Sequence, residues 1–182
     1  LTDGEMDLLA STGAAVAHNP ESNMKLASGA APVPQMLARG IAVGIGTDGY
    51  TANMFEAFRN TLVALRHKYG DPAGFWNDVQ TAQFDTNAEI VTRCTGHHVG
   101  RLVQGAAADF MLVDYASPTP FTAENAFGHV FFGISADLVD TVVVDGRVVV
   151  QGHRVLSVDR TILERESRKV ATSVWDAFSR LS

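Results

Sequence analysis

Cysteine occurs once in 182 residues, at Cys94. A single thiol excludes an intrachain disulfide framework and a cysteine-built zinc cluster, and makes the cytoplasm the default compartment. Basic residues are also in short supply: 14 Lys and Arg against 20 Asp and Glu give a net charge of -6, with no Lys/Arg cluster. That balance argues against a nucleic-acid partner or an anionic membrane surface, because phosphate recognition needs clustered cations. Long apolar runs are missing as well. The stretches at 127–134 and 141–144 fall far short of the roughly 20 residues a membrane-spanning helix needs. Internal repeats and low-complexity linkers are absent.

What remains is the profile of a globular chain, 46% hydrophobic and 19% charged, with about one domain's worth of core. It opens at Leu1 without a signal-peptide pattern and enters a helix at once, capped by Thr2 or Asp3 and ended at Gly13. A first element already in mid-rhythm predicts a chain cut from something longer.

Two textures follow. Over 1–104 strands alternate with helices: "AAVAH", a loop "NPESNMKLASGAAP", a helix "VPQMLARG", the strand "IAVGIG", then helical stretches over 53–68 and 86–95. That alternation predicts parallel βα units. Over 105–158 the chain reads as a small sheet, with "ADFMLVD" followed by "DTVVVDGRVVVQGHRV", whose Asp145-Gly146 step between β-branched runs signals a hairpin. Over 159–182 an amphipathic helix aligns Leu163, Val170, Val174, Trp175 and Phe178 broadly on one face, which predicts packing back onto the body.

Chemistry is expected where the buried strand "IAVGIG" stops at Thr47 and Asp48. In βα architectures the loops beyond the C-terminal strand ends form the binding face. A carboxylate there, between Gly46 and Gly49 and within reach of Thr47, suits a metal ligand or a proton acceptor for metal-bound water. Capping of the following helix is an equal alternative. The preceding strand ends in the same way, at His18, Asn19, Pro20, Ser22 and Asn23, so two neighbouring strand ends offer His18 and Asp48 to one cleft. His18 reads either as a rim or core histidine or as a ligand.

The other polar residues have structural readings. His67 and Lys68 close a helix, Glu56 and Arg59 are placed to pair on its surface, and Asp109 and Asp114 flank a strand as turn carboxylates. His97 and His98 diverge too far in any regular element to clamp one ion. His129 reads as a packed residue, and Cys94 as a buried small one.

The segment "AHNPESNMKLASGAAPVPQMLARGIAVGIGTDG" resembles the signature of the amidohydrolase superfamily, in its aminohydrolase and chlorohydrolase branch. The branch includes guanine and 8-oxoguanine deaminases, triazine hydrolases and the SsnA-like members, toward which the details lean. The shared pattern is a strand ending in His-x-Pro-x-Ser-Asn, then Leu-x-Ser-Gly, Ala-Pro, and Gly-Thr-Asp-Gly at the next strand end. "GAAADFMLVD" and the terminal hairpin resemble the family's return to a small β-sandwich.

The resemblance implies an α/β fold: the C-terminal part of a metal-dependent (β/α)8 TIM barrel, followed by strands of a composite β-sandwich and a C-terminal helix. Asp48 would stand at the end of strand eight as metal ligand and proton shuttle. His18, at the end of strand seven, would line the pocket; Ser22 and Asn23 would support it, with Thr51 and Asn53 as further substrate contacts. The implied cofactor is one divalent metal, Zn2+ ahead of Fe2+ or Mn2+.

The family's His-x-His pair, two further strand-end histidines and the glutamate acid/base have no counterpart here, so the remaining ligands lie outside this chain. The implied partners are a small heterocyclic substrate, the missing N-terminal part of the barrel and a second copy in a homodimer. The expected reaction is hydrolytic deamination of a purine, pyrimidine or triazine-like ring. The alternatives are hydrolysis of an amide or halide, and an inactive half barrel that acts through a partner.

Overall fold

Local capping chemistry starts the chain. In the computed structural model, which describes residues 1–181, helix α1 (Asp3–Thr12) opens on a capping box. The Thr2 side chain accepts from the Glu5 N–H at 3.3 Å, and the Glu5 carboxylate accepts from the Thr2 N–H at 2.6 Å. Gly13, at φ 66°, ends it in the left-handed conformation that glycine adopts without a Cβ clash.

Strand β1 (Val16–His18) leads through helices α2 (Pro20–Lys25) and α3 (Val33–Ala38) to strand β2 (Val43–Ile45). The strands are parallel and pair Val16 with Val43, Ala17 with Gly44 and His18 with Ile45, as a βαβ crossover requires. The segment 19–32 differs from the expected open loop, because α2 forms inside it. Pro20 occupies the first turn, where its missing N–H costs nothing and its fixed φ favours a helix.

Helix α4 (Met54–Tyr69) is the longest element of this half, capped by Asn53 and ended by Gly70 at φ 63°. Its buried face, Ala57, Phe58, Thr61, Leu62 and Leu65, repeats at helical spacing, and all but Thr61 share one core cluster with Val43 and Ile45 of β2 and Met36 of α3. Burying side chains such as Phe58, Leu62 and Leu65 contributes about 1.5–3 kcal/mol each. Helix α5 (Trp76–Thr81), a π-helical turn (Ala82–Thr86) and helix α6 (Asn87–Thr95) run on continuously.

The second texture is a four-stranded antiparallel sheet in the order β3 (Phe110–Val113), β4 (Val139–Val144), β5 (Arg147–Gln151) and β6 (Arg154–Val155). The β4–β5 hairpin turns on Asp145 and Gly146, both at positive φ (50° and 72°), as a two-residue hairpin turn of this type requires. The Asp109 carboxylate fixes that turn by accepting from the Asp145 N–H at 2.6 Å. Helix α7 (Ala126–Phe132), between β3 and β4, inserts Phe127 and Phe131 into the first half's core. There Phe127 meets Trp76 edge-on, with ring centroids 4.7 Å apart.

Three expectations are corrected. Helix α8 (Arg160–Phe178) carries the apolar stripe but buries none of it; Trp175 is 67% and Phe178 62% exposed. Periodicity identifies an apolar face without identifying what covers it. Cys94 is exposed, because α6 turns no residue into the core. Arg59 does not pair with Glu56. Its guanidinium reaches instead to the carbonyls of Phe131, Val130 and Ile134, tying α4 to the end of α7.

Candidate active site

The two parallel strands stop at the same level, and the chain beyond each stop carries the candidate residues. After β2 the backbone turns sharply through Asp48, which sits at φ 53°. Aspartate tolerates this left-handed region better than most residues, though less well than glycine. The turn leaves the Asp48 side chain exposed beyond the strand end. It is not the helix cap: that place belongs to Asn53, whose side chain accepts from the Phe55 N–H at 3.1 Å.

Asp48 is instead addressed from the other strand's loop. Ser22, buried in the first turn of α2, donates its Oγ–H to Asp48 Oδ2 at 2.6 Å. A hydrogen bond to a carboxylate is short and about twice as strong as a neutral one. The Ser22 hydroxyl, and after it the Gly49 backbone N–H, hold the Asp48 carboxyl below its ordinary value of 3.8. Asp48 is therefore an oriented anion at neutral pH. Sequence spacing points to Thr47 as the partner of this carboxylate; the structure supplies Ser22.

The other candidates divide. Strand alternation and register put His18 on the face of Val16, Val43 and Ile45, the face covered by helices. There His18 is 3% exposed and borders a small cavity with Val33, Leu37, Thr61, Leu65 and Val79. Neither ring nitrogen has a hydrogen-bond partner among the described residues. Burial, and then the nearby Lys68 charge, push its pKa down, so the ring is neutral.

Asn23 is half-buried, and its backbone N–H bonds to Asn19 O at 3.1 Å. Thr51 accepts from the Asn53 N–H at 3.1 Å, so Thr51 and Asn53 together form the entry to α4. The structure thus brings Ser22 and Asp48 together, and gives His18, Thr51 and Asn53 other neighbours. The opposite face of the two strands, bearing Ala17 and Gly44, opens onto a cleft of about 500 Å3 lined also by Met54, Phe84 and Asn87.

Three residues at or near the site carry no signal in the sequence. Glu21 in "NPESN" reads as one more polar loop residue, yet it is 6% exposed and accepts from Asn60 Nδ2 at 2.7 Å. Asn60 and Asn87 lie in helices whose polar positions look like solvent-facing ones. Only the packing of α2 on α4, and of α6 beside β2, gives them partners.

A family model for the amidohydrolase family matches residues 1–149. The chain belongs to the amidohydrolase family. Among curated amidohydrolase relatives, a 5-methylthioadenosine/S-adenosylhomocysteine deaminase of Nitratidesulfovibrio vulgaris is 42% identical, over 99% of this chain and 41% of that protein. A 5'-deoxyadenosine deaminase of Methanosarcina mazei is 34% identical, over 94% of this chain and 40% of its own length. The chain thus spans about two-fifths of the curated relatives it matches.

Among solved structures, a zinc-bound adenosine deaminase of Xanthomonas campestris superposes with a TM-score of 0.82 at 23% identity, covering 97% of this chain and 41% of that one. The guanine deaminase of E. coli superposes at 0.68 and 24% identity, covering 83% of this chain and 37% of that one. At these identities the likeness is one of fold, and the fold is that of part of an amidohydrolase barrel. Its curated relatives are named as deaminases.

Among the described residues no group of three or more His, Cys, Asp or Glu side chains could hold a metal ion. Asp48, ionised and accessible, fits the role of one ligand in a larger set. Among the described residues no other candidate joins it.

Proposed function

We propose that these residues form the C-terminal portion of a zinc-dependent aminohydrolase that deaminates an adenosine-type purine. The observation that carries the reading is the Ser22–Asp48 hydrogen bond at 2.6 Å, which fixes one ionised carboxylate at the end of the second parallel strand. The names of the curated relatives described above, deaminases of adenosine derivatives, support the substrate class. Zinc is supported by the zinc-bound relative of the same fold.

In this reading Asp48 contributes one ligand, and the rest of the set comes from protein outside this chain. When bound, the metal supplies Lewis-acid activation of water. The chain's own residues then do two things. Ser22 Oγ–H stays on Asp48 Oδ2 and orients the carboxylate, which takes a proton from the attacking water. A carbon–oxygen bond forms at the amino-bearing ring carbon, the carbon–nitrogen bond breaks, and ammonia leaves with the shuttled proton. His18, Asn23, Thr51 and Asn53 are proposed as surroundings of the pocket. For His18 the contribution is the position of the strand end, and for Thr51 and Asn53 the entry to α4. Residues 105–158 are proposed to complete a composite β-sandwich, and a homodimer is the proposed assembly.

The test compares this chain alone with the same chain joined to an N-terminal amidohydrolase portion, assaying ammonia release from 5-methylthioadenosine and bound zinc. The joined protein is expected to hold zinc and deaminate, and Asp48→Asn to reduce turnover by about 10²- to 10⁴-fold. The chain alone is expected to do neither. A joined protein that binds zinc and turns over only an amide or a halide would move the reading to that chemistry. Full activity in Asp48→Asn would remove Asp48 from it.

A further inference from the structure

Glu21 is a buried carboxylate that stability does not explain. It is 6% exposed; one oxygen accepts from Asn60 Nδ2 at 2.7 Å, and the other, Oε2, is buried with no partner among the described residues. Burying a half-satisfied polar group costs stability, and such groups in native structures call for an explanation. Its neighbour supplies one. Glu21 and Ser22 are consecutive in the first turn of α2, so their side chains leave the helix about 100° apart. The first reaches α4 and the second reaches Asp48.

Helix α2 is seated by the buried ring of Pro20 and by Lys25 over the Tyr50 ring, and its rotation is set by a few polar ties. It is six residues long, and its N-cap Asn19 makes no capping bond, donating instead to Ala17 O at 3.3 Å. An isolated helix of that length has no stability of its own. Its segment is tied to α4 at two polar points: Glu21 to Asn60 near its start, and the carbonyls of Ala30 and Ala31 to Lys68 Nζ, at 2.7 and 3.3 Å, near its end. Rotation of α2 by a fraction of a turn would carry Ser22 Oγ out of reach of Asp48, since a 2.6 Å bond tolerates little displacement.

We infer that Glu21 is a positioning residue that, through its hydrogen bond to Asn60, sets the rotation of α2 and so delivers the Ser22 hydroxyl to Asp48. The inference rests on the proposed role of Asp48 for its functional meaning, and on geometry alone for its structural content. It assigns the Asn60–Glu21–Ser22–Asp48 relay to one purpose, the orientation of a single carboxylate.

The experiment reads the Asp48 side-chain carboxyl carbon by NMR in the metal-free chain at neutral pH, in wild type and in Glu21→Ala, Glu21→Gln, Asn60→Ala and Ser22→Ala. Ser22→Ala marks the signal of Asp48 without its partner. Glu21→Ala and Asn60→Ala are expected to move the wild-type signal most of the way to that position. Glu21→Gln, which keeps the acceptor for Asn60, is expected to leave it in place. The double variant Glu21→Ala/Ser22→Ala is expected to match Ser22→Ala alone.

A residue that merely supported the fold would lower the melting temperature without moving the Asp48 signal of the folded protein, and that result would overturn the inference. Should Glu21→Ala not fold, Asn60→Ala against Glu21→Gln decides it. In the joined enzyme, Glu21→Ala is expected to lower kcat about tenfold with little change in KM, because the contact it sets orients the carboxylate that takes the proton and does not touch the bound substrate. An Asp48 signal that follows Glu21 in a protein that never deaminates would leave the positioning intact and remove the hydrolase reading.

Discussion

The side-chain amide of Asn87 stands where a neighbouring strand would pair with Ile45: its Oδ1 accepts from the Ile45 N–H at 2.8 Å and its Nδ2 donates to the Ile45 carbonyl at 3.0 Å. Ala42 and Gly46 of the same stretch bond to β1, through Val16 N to Ala42 O and Gly46 N to His18 O, so Ile45 faces the outer edge. A Cβ at Gly44 would lie 2.2 Å from Asn87 Oδ1, which explains glycine at that position. A two-stranded parallel sheet is expected to leave both outer edges unpaired. At Ile45 one side chain satisfies that edge. A further barrel strand added at this edge would compete with Asn87 for the same two groups.

Asn87→Ala is therefore expected to destabilise the chain by about 1–3 kcal/mol, the cost of leaving a buried donor and acceptor unmet. Asn87→Asp should recover only part, since a carboxylate accepts from the Ile45 N–H but cannot donate to its carbonyl. Urea midpoints report the stability, and light scattering reports the freed edge. An unchanged midpoint in Asn87→Ala would show that water replaces the amide without loss.

His18 carries a pH prediction. Its pKa is lowered from the ordinary 6.5 by burial first and the Lys68 charge second. The unfolded chain thus takes up a proton near that value while the folded chain does not. The associated stability is fully present above pH 6.5 and is lost as pH falls through the lower folded value, with a slope of at most about 1.4 kcal/mol per pH unit for one proton. Subtracting the His18→Leu profile from wild type isolates this contribution. Because neither ring nitrogen is hydrogen-bonded within the described structure, His18→Leu should cost nothing above neutral pH. A flat difference profile would contradict the buried, neutral imidazole.

What was legible in the sequence is what depends on local order. The capping pair Thr2 and Glu5, the Asp145-Gly146 turn, and the alternation that yields β1 and β2 all depend on residues within a few positions of one another. The strand-end placement of Asp48 was legible for the same reason, as was its resemblance to an amidohydrolase signature. The partner of Asp48 was not. Thr47 is adjacent in sequence, but the hydroxyl that reaches the carboxylate comes from Ser22, across the crossover. Arg59 likewise has an acid one turn away and spends its guanidinium on carbonyls about seventy positions on. Side-chain chemistry announces that a donor exists; only the packing of distant elements says which acceptor it meets.

Helix α8 offers a prediction from exposure. None of its residues is buried, and Trp175 and Phe178 meet each other, edge-on at 5.9 Å between ring centroids. Ending the chain at residue 158 should leave the urea midpoint of the remaining body unchanged. Solubility should rise at the same time, because a contiguous apolar stripe is removed. Val174→Glu in the intact chain should reproduce the gain in solubility. A midpoint lowered by truncation would show that the stripe is packed in solution.

Arg59 is the heaviest polar tie between the first half and α7. Its Nε donates to Phe131 O at 2.5 Å and its Nη2 to Val130 O at 3.2 Å, with a further bond to the Ile134 carbonyl. These carbonyls lie at the C-terminal end of α7 and just past it, where helix carbonyls lack intrahelical partners and a cation is favoured. Phe127 and Phe131 of the same helix pack on Phe58, so the tie also fixes how the aromatic cluster meets α4. Hydrogen bonds from a charged donor contribute about 1.5–3 kcal/mol, and Arg59→Ala should cost at least that much. Arg59→Lys should cost nearly as much, because an ammonium cannot reproduce the planar fork that spans separate carbonyls. The two variants separate geometry from charge: if Lys restores wild-type stability, the charge near the α7 terminus is the main contribution, and if it behaves as Ala does, the fork is.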